Sequence, residues 1–196
     1  MKISLLSVSL IATMFFGGCT LKDNSIVLGE HKNANYTQKQ NTKNIQIGAF
    51  SDDRREKPLL AVIRGVDGKI KQSIFAREDL GTWLFTALSD ELKASTTQNS
   101  SEGNITLSAN IKELYVEYTQ NPAQTKNLAI SVKVEMTMSQ GANTQTKIYQ
   151  VRQEDYRPYI IDSNDLSPFI RDTLSDIARS MTKDVVAYSS HSAPKE

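Results

Sequence analysis

Leu128, Ile130, Val132, Val134, Met136 and Met138 alternate with Ala129, Ser131, Lys133, Glu135 and Thr137. A period of two predicts a strand with one face in a core and the other in water. Upstream, Ile105, Leu107, Ala109 and Ile111 keep odd numbers, and Leu114, Val116 and Tyr118 then keep even ones. That change of parity predicts one strand with an extra residue, a bulge, near Lys112–Glu113. Ile45, Ile47 and Ala49 open an earlier strand, and Leu59–Arg64 and Lys69–Phe75 flank the turn sequence Gly65-Val66-Asp67-Gly68. Gln145–Glu154 is predicted to pair with the 128–138 strand across a turn at Gln140–Asn143.

The period changes to that of a helix in two places. Leu80, Leu84, Leu88 and Leu92 recur with Trp83 and Ala87 beside them, and Glu78 and Asp79 precede them at the positive end of the helix dipole. Ile170, Leu174, Ile177, Met181 and Val185 form a second stripe, opened by Ser167 as cap and Pro168 at the first helical position. Strands, helix, three strands, helix is an α+β order. It predicts a single, largely antiparallel sheet of about five to six strands with two helices packed on one face.

The ends of the chain read differently. Lys2 precedes the uncharged run Ile3–Phe16, which falls short of the roughly 20 apolar residues a spanning helix needs and reads as an export signal. Gly17 and Gly18 then precede Cys19, the only cysteine among 196 residues. The arrangement resembles the lipobox of bacterial lipoproteins, with Phe16 where Leu is usual. It implies cleavage after residue 18 and acylation of Cys19 by diacylglycerol and an N-acyl chain, with no other cofactor. Thr20 stands where Asp would imply retention at the inner membrane, so the implied location is the outer membrane, most simply its periplasmic leaflet. Residues 19–43 are polar and are expected to form a tether with at most one short strand at Ile26–Leu28. Residues 44–188 are expected to form one domain and 189–196 a disordered tail.

Composition excludes more than it suggests. One cysteine allows no internal disulfide, and with two histidines it cannot build a Cys/His zinc cluster. A net charge of +1 argues against a nucleic-acid partner. Loss of residues 1–18 removes Lys2 and leaves basic and acidic groups equal, so the lipid rather than charge provides anchoring. His31 lies in the expected tether and His191 in the expected tail, where no core would position them for catalysis. Ser180-Met181-Thr182-Lys183 matches S-x-x-K without its companion motifs and reads as a helix end. Asp155, Asp162 and Asp165 lack calcium-loop spacing. Glu102–Thr106 fits an extended glycosylation pattern at Asn104 and reads as a chance match.

Two features remain as candidate surfaces. Asp52, Asp53, Arg54, Arg55 and Glu56 form the densest charge cluster, either a self-neutralising surface loop or a partner-binding one. Its arginines would hold the acids ionised and unfit to donate protons, which leaves a carboxylate-dependent hydrolase only a residual reading. Tyr115, Tyr118 and Tyr149, with Tyr156 and Tyr159 close in sequence, are half-buried sheet residues or interface aromatics.

The lipobox cysteine, Ile45-Gln46-Ile47-Gly48 leading to Asp53-Arg54, the Leu80–Leu92 helix, the Asn104–Tyr118 and Asn127–Met138 strands and the closing helix together resemble the YajG family of bacterial lipoproteins. The resemblance runs from about Ile45 to about Val186 and brings no catalytic residues with it. The expectation is a non-catalytic binding or assembly factor that meets an unidentified envelope protein. The alternative is an accessory lipoprotein of lipid or lipopolysaccharide transport, which an apolar groove between sheet and helices would favour.

Overall fold

The protein is seen in a computed structural model that describes residues 24–121, 125–158, 160 and 163–191. The signal sequence, Cys19, Thr20, Tyr159, Asp162 and residues 192–196 lie outside the described residues. In chain order the elements are β1 (Ser25–Ile26), β2 (Gln40–Asp52), β3 (Leu59–Arg64), β4 (Ile70–Ala76), α1 (Leu80–Ser95), β5 (Thr96–Thr119), β6 (Leu128–Gln140), β7 (Asn143–Asp155) and, after a 3-10 turn at Ser163–Leu166, α2 (Ser167–His191).

The 24-residue β5 is the spine of the sheet. One edge pairs parallel to β2 between Thr96 and Ile111, with register shifts on the way, and parallel to β3 from Val116 to Thr119. Its other edge takes β6 antiparallel, and β7 follows antiparallel on β6. On the far side β4 pairs antiparallel with β3, and β1 pairs parallel with β4. The sheet is therefore mixed rather than largely antiparallel. The departure comes from β2 and β3, which reach β5 by crossovers through β4 and α1 rather than by hairpins. Sequence periodicity reports which face of a strand is buried and carries no information on the direction of its neighbour.

The expected bulge is present. Pairing of β5 with β6 shifts between Ile111 and Glu113, leaving Lys112 as the extra residue. A second irregularity lies in β2 between Ile47 and Phe50, where a Cβ at Gly48 would stand 2.9 Å from the Leu107 carbonyl oxygen. Both hairpins also form as expected, with Gly68 (φ 74°) and Gly141 (φ 58°) supplying the left-handed backbone their turns require.

Both helices lie on the face built by Ile105, Leu107, Ile111 and Val116 of β5 and Val132, Val134 and Met136 of β6. Leu84, Leu88 and Leu92 of α1 and Ile170, Leu174, Met181 and Val185 of α2 fill it, all at most 1% exposed. Complete burial of each such side chain stabilises by roughly 1.5–3 kcal/mol. Asp79 caps α1 by accepting the Thr82 amide at 2.7 Å.

Residues 24–43 are not a tether over their described part. Ile26 and Leu28 are 1% exposed within the same core, and β2 begins at Gln40. The polar residues around them hid this, because the segment docks through a few side chains and many backbone contacts. The Leu28 amide donates to Glu78, the Val27 carbonyl accepts from Ser167, and the Trp83 indole donates to the Gly29 carbonyl at 2.7 Å. The expected tail is likewise folded at its start: Ser189 is buried and accepts the Lys43 amide at 2.9 Å.

Leu28→Ala should cost about 2–5 kcal/mol in urea unfolding, the range for a large-to-small core change, whereas Val27→Ala next to it should stay within about 0.5 kcal/mol. A tether residue would show no such contrast.

Candidate functional site

Glu91 stands on the apolar side of α1, between Leu88 and Leu92, and its carboxylate is completely buried. A buried carboxylate must be satisfied or neutralised, and here the 29–36 segment satisfies it. One oxygen accepts from His31 Nε2 at 2.7 Å and the Ala34 amide at 3.0 Å, with Arg179 Nε of α2 at 3.5 Å. The other accepts from the Tyr36 hydroxyl. The His31 ring, its side chain 2% exposed, stands edge-on to Trp83 with centroids 6.1 Å apart. Its Nδ1 lies 2.9 Å from the Ser175 hydroxyl on α2, so a neutral ring protonated at Nε2 satisfies both contacts. Arg179 also donates to the Lys32 carbonyl at 2.8 Å.

Burial pushes the Glu91 carboxyl up, but hydrogen bonds from Tyr36, Ala34 and His31 together outweigh it and hold the group below its ordinary value. Burial and the Glu91 charge push the Tyr36 hydroxyl well above the usual range for tyrosine. The cluster therefore holds an ionised acid and a neutral phenol.

Beside this cluster an open cleft of about 630 Å³ runs between the 29–33 segment and α1. His31 and Trp83 contribute to its wall, the exposed Thr82 and Thr86 line its helix side, and Glu30 and Asp90 are among its carboxylates. Ser175, His31 and Glu91 have the partners of a nucleophile–base–acid relay, but Ser175 is 2% exposed and does not line the cleft. Such a serine meets no substrate, whereas relays of this kind present the hydroxyl to one.

The sequence-derived candidates are distributed differently. Asp52 and Arg54 are buried, not part of a surface loop: the guanidinium binds both Asp52 oxygens at 2.8 and 2.9 Å and also donates to the carbonyls of Leu59 and Leu114. This pair closes the turn after β2 against β3 and β5. Asp53 faces out, paired with Lys112 at 3.0 Å, and that lysine together with the Ser51 hydroxyl lowers its pKa. Arg55 and Glu56 are exposed. Tyr118 is 2% exposed in the core, so it offers no interface. Tyr149 lies under α2 and donates to Asp184 at 2.7 Å, with burial first and that charge second raising its pKa. Tyr115 is on the opposite, outer face beside Glu117.

His31 and Glu91 were missed because a histidine in a polar stretch reads as solvated. The available signal was a glutamate inside the helix's apolar stripe, a position that demands a partner.

Among the described residues no group of three or more His, Cys, Asp or Glu could hold a metal, and no helix is long and apolar enough to cross a membrane. The fold is that of small α+β domains known from crystals. A Xanthomonas campestris protein of the family DUF330 superposes with a TM-score of 0.60 at 10% identity, over 85% of this chain and 97% of that one. A second crystal structure, of an uncharacterised protein, gives 0.50 at 10% identity over 76% and 99%. No curated protein matches the sequence. The model of an uncharacterised lipoprotein family, Lipoprotein_16, matches residues 33–186, and the chain belongs to that family, the YajG-type family its sequence resembles. The family is one of lipoproteins, which supports a lipid-anchored envelope protein.

Because the folded-state pKa of Glu91 is depressed, its contribution to stability is complete above the unfolded value, about 4.3, and is lost as pH falls through the lower folded value. Glu91→Gln should cost about 2–3 kcal/mol at pH 7 and flatten the fall of unfolding free energy between pH 5 and 3. Arg54→Ala, which strands buried Asp52, should cost about 3–5 kcal/mol, against less than about 0.5 for Arg55→Ala. Urea titrations across that pH range measure both.

Proposed function

We propose that the mature chain is acylated on Cys19 by diacylglycerol and an N-acyl chain, is held in the periplasmic leaflet of the outer membrane, and acts there as a non-catalytic binding or assembly factor for another envelope protein. Thr20 in place of Asp supports the outer membrane. The observation that carries the binding reading is the pairing of an open cleft with a sealed polar cluster. The groups best suited to chemistry, Ser175 and Glu91, are buried and engaged with each other's partners, while the cleft beside them offers a tryptophan edge, hydroxyls and carboxylates. Such a lining fits a polypeptide segment bearing an apolar side chain and a cation better than a substrate to be cleaved.

The reading of an accessory lipoprotein in lipid or lipopolysaccharide transport calls for a groove able to hold an acyl chain. Between sheet and helices the space is filled by Leu84, Leu88, Leu107, Val134 and Leu174, each at most 1% exposed, which supports the binding reading over the transport one.

The acylated protein, purified from detergent-solubilised envelope, should bring down a stoichiometric protein partner identified by mass spectrometry. Thr86→Arg projects a long cation into the cleft from an exposed helix position and should reduce that partner by roughly tenfold, about 1.4 kcal/mol. Lipid recovered in place of a protein partner would move the assignment to transport. A partner retained by Thr86→Arg but lost on charge reversal at Asp53 would move the interface to the turn after β2.

A further inference from the structure

The tip of the β3–β4 hairpin is apolar where nothing in the fold asks for it. Val66 is 72% exposed and Ile70 is 53% exposed. The turn is built without them: Gly68 supplies the positive φ, the Gly65 amide donates to the Lys69 carbonyl at 2.9 Å, and Asp67 accepts the Lys69 amide at 3.2 Å. A β-branched side chain at the second turn position contributes nothing to that geometry, where Asn, Asp, Ser or Gly is the usual choice. Around the tip stand Arg64, Lys69 and Lys71, against Asp67, which pairs with Lys71 at 3.4 Å, and Glu117, which pairs with Arg64 at 3.0 Å. Single exposed aliphatic residues are common. What singles these out is the direction from which the anchored end of the chain arrives.

β1 runs parallel to β4, with Ser25 opposite Phe75 and Ile26 opposite Ala76. The chain upstream of Ser25 therefore leaves toward the start of β4, and Asn24 is already hydrogen-bonded to Gln72 at 2.7 Å. The Phe75 amide bonds to the Asn24 carbonyl, so the Asn24 backbone stands near Ile74, about 13 Å along the strand from Ile70, with the turn just beyond. Four residues stand between Cys19 and Asn24, and the five Cα–Cα steps span at most about 18 Å. With the chain leaving in this direction, the end of the sheet that carries the turn is within reach of an acyl chain on Cys19. Tyr156, 47% exposed, follows β7 at the same end, since Asp155 pairs with Leu128 there and the Gln120 amide bonds to the Arg64 carbonyl.

We propose that the β3–β4 hairpin tip is a second, non-covalent membrane contact, in which Val66 and Ile70 enter the headgroup–acyl boundary while Lys69 and Lys71 meet anionic headgroups, so that the domain sits on the bilayer in one orientation. The proposal rests on the acylation of Cys19. An exposed apolar pair rimmed by cations is the composition that favours such an interface, and a short leash turns a weak contact into an occupied one by effective concentration.

The acylated sulfur of Cys19 cannot react, so Val66→Cys and Ile148→Cys each provide a single thiol for a nitrobenzoxadiazole label. Ile148 is 57% exposed in the middle of β7, opposite Glu135 and about 23 Å along the strand from Asp155. The full mature protein is placed in vesicles of phosphatidylethanolamine with a minority of phosphatidylglycerol, carrying nitroxide-labelled lipid. Quenching severalfold stronger at 66 than at 148, with blue-shifted emission at 66, is the expected result. Equal or weaker quenching at 66, in protein whose acylation mass spectrometry verifies, overturns the hairpin contact and leaves the anchor in place. A mature chain with no acyl mass on Cys19 overturns both.

Discussion

A fully buried carboxylate imposes the order of this fold. Glu91 is placed in the interior by the helical spacing of Leu84, Leu88 and Leu92, and it cannot remain there alone. Its partners come from two places: the 31–36 segment through the donors His31, Ala34 and Tyr36, and α2 through the ion-paired Arg179, while Ser175 of α2 holds the His31 ring. The N-terminal segment must therefore cross both helices before it enters β2. The Asp52–Arg54 pair does the corresponding work at the far end of β2, tying the turn to the carbonyls of β3 and β5. In both cases a charge inside the domain fixes the path of irregular backbone, a form of specificity that an apolar contact would supply less sharply.

Much of the fold was legible in the chain because periodicity is written by burial. The bulge at Lys112 followed from a change of parity, the hairpin at 65–68 from its glycines, and each helix from its stripe. The direction of β2 and β3 was not legible, since parallel and antiparallel neighbours bury the same alternation. The first third of β5 was missed as well: residues 96–104 carry no apolar period, and Thr96 to Asn99 and Asn104 pair with the equally polar start of β2.

The site was less visible than the fold for a related reason. Polar residues that satisfy one another inside a protein look, along the sequence, like polar residues in water. His31 and Arg54 were each read as solvated, and each has a side chain only a few per cent exposed, His31 held by Glu91 and Ser175, 60 and 144 residues away, and Arg54 by Asp52 two residues away and the Leu114 carbonyl 60 away. Tyr118 and Tyr149 show the converse, aromatic rings whose hydroxyls find partners within the chain, with Tyr118 buried outright and Tyr149 partly covered.

The folded N-terminal segment also changes what anchoring means. A long tether would let the domain explore every orientation and would separate the membrane from whatever the domain binds. Here Ser25 is already paired with β4, and the residues that follow form one wall of the cleft before reaching β2. The same stretch is strap and cleft wall and, in the proposed reading, leash and binding surface as well. Its attachment to Glu91, Ser167 and Trp83 fixes the cleft relative to the sheet end that the leash approaches. In the proposed reading a partner in the cleft is met at a set height above the bilayer, and loss of the Glu91 cluster would loosen the stretch that joins the two.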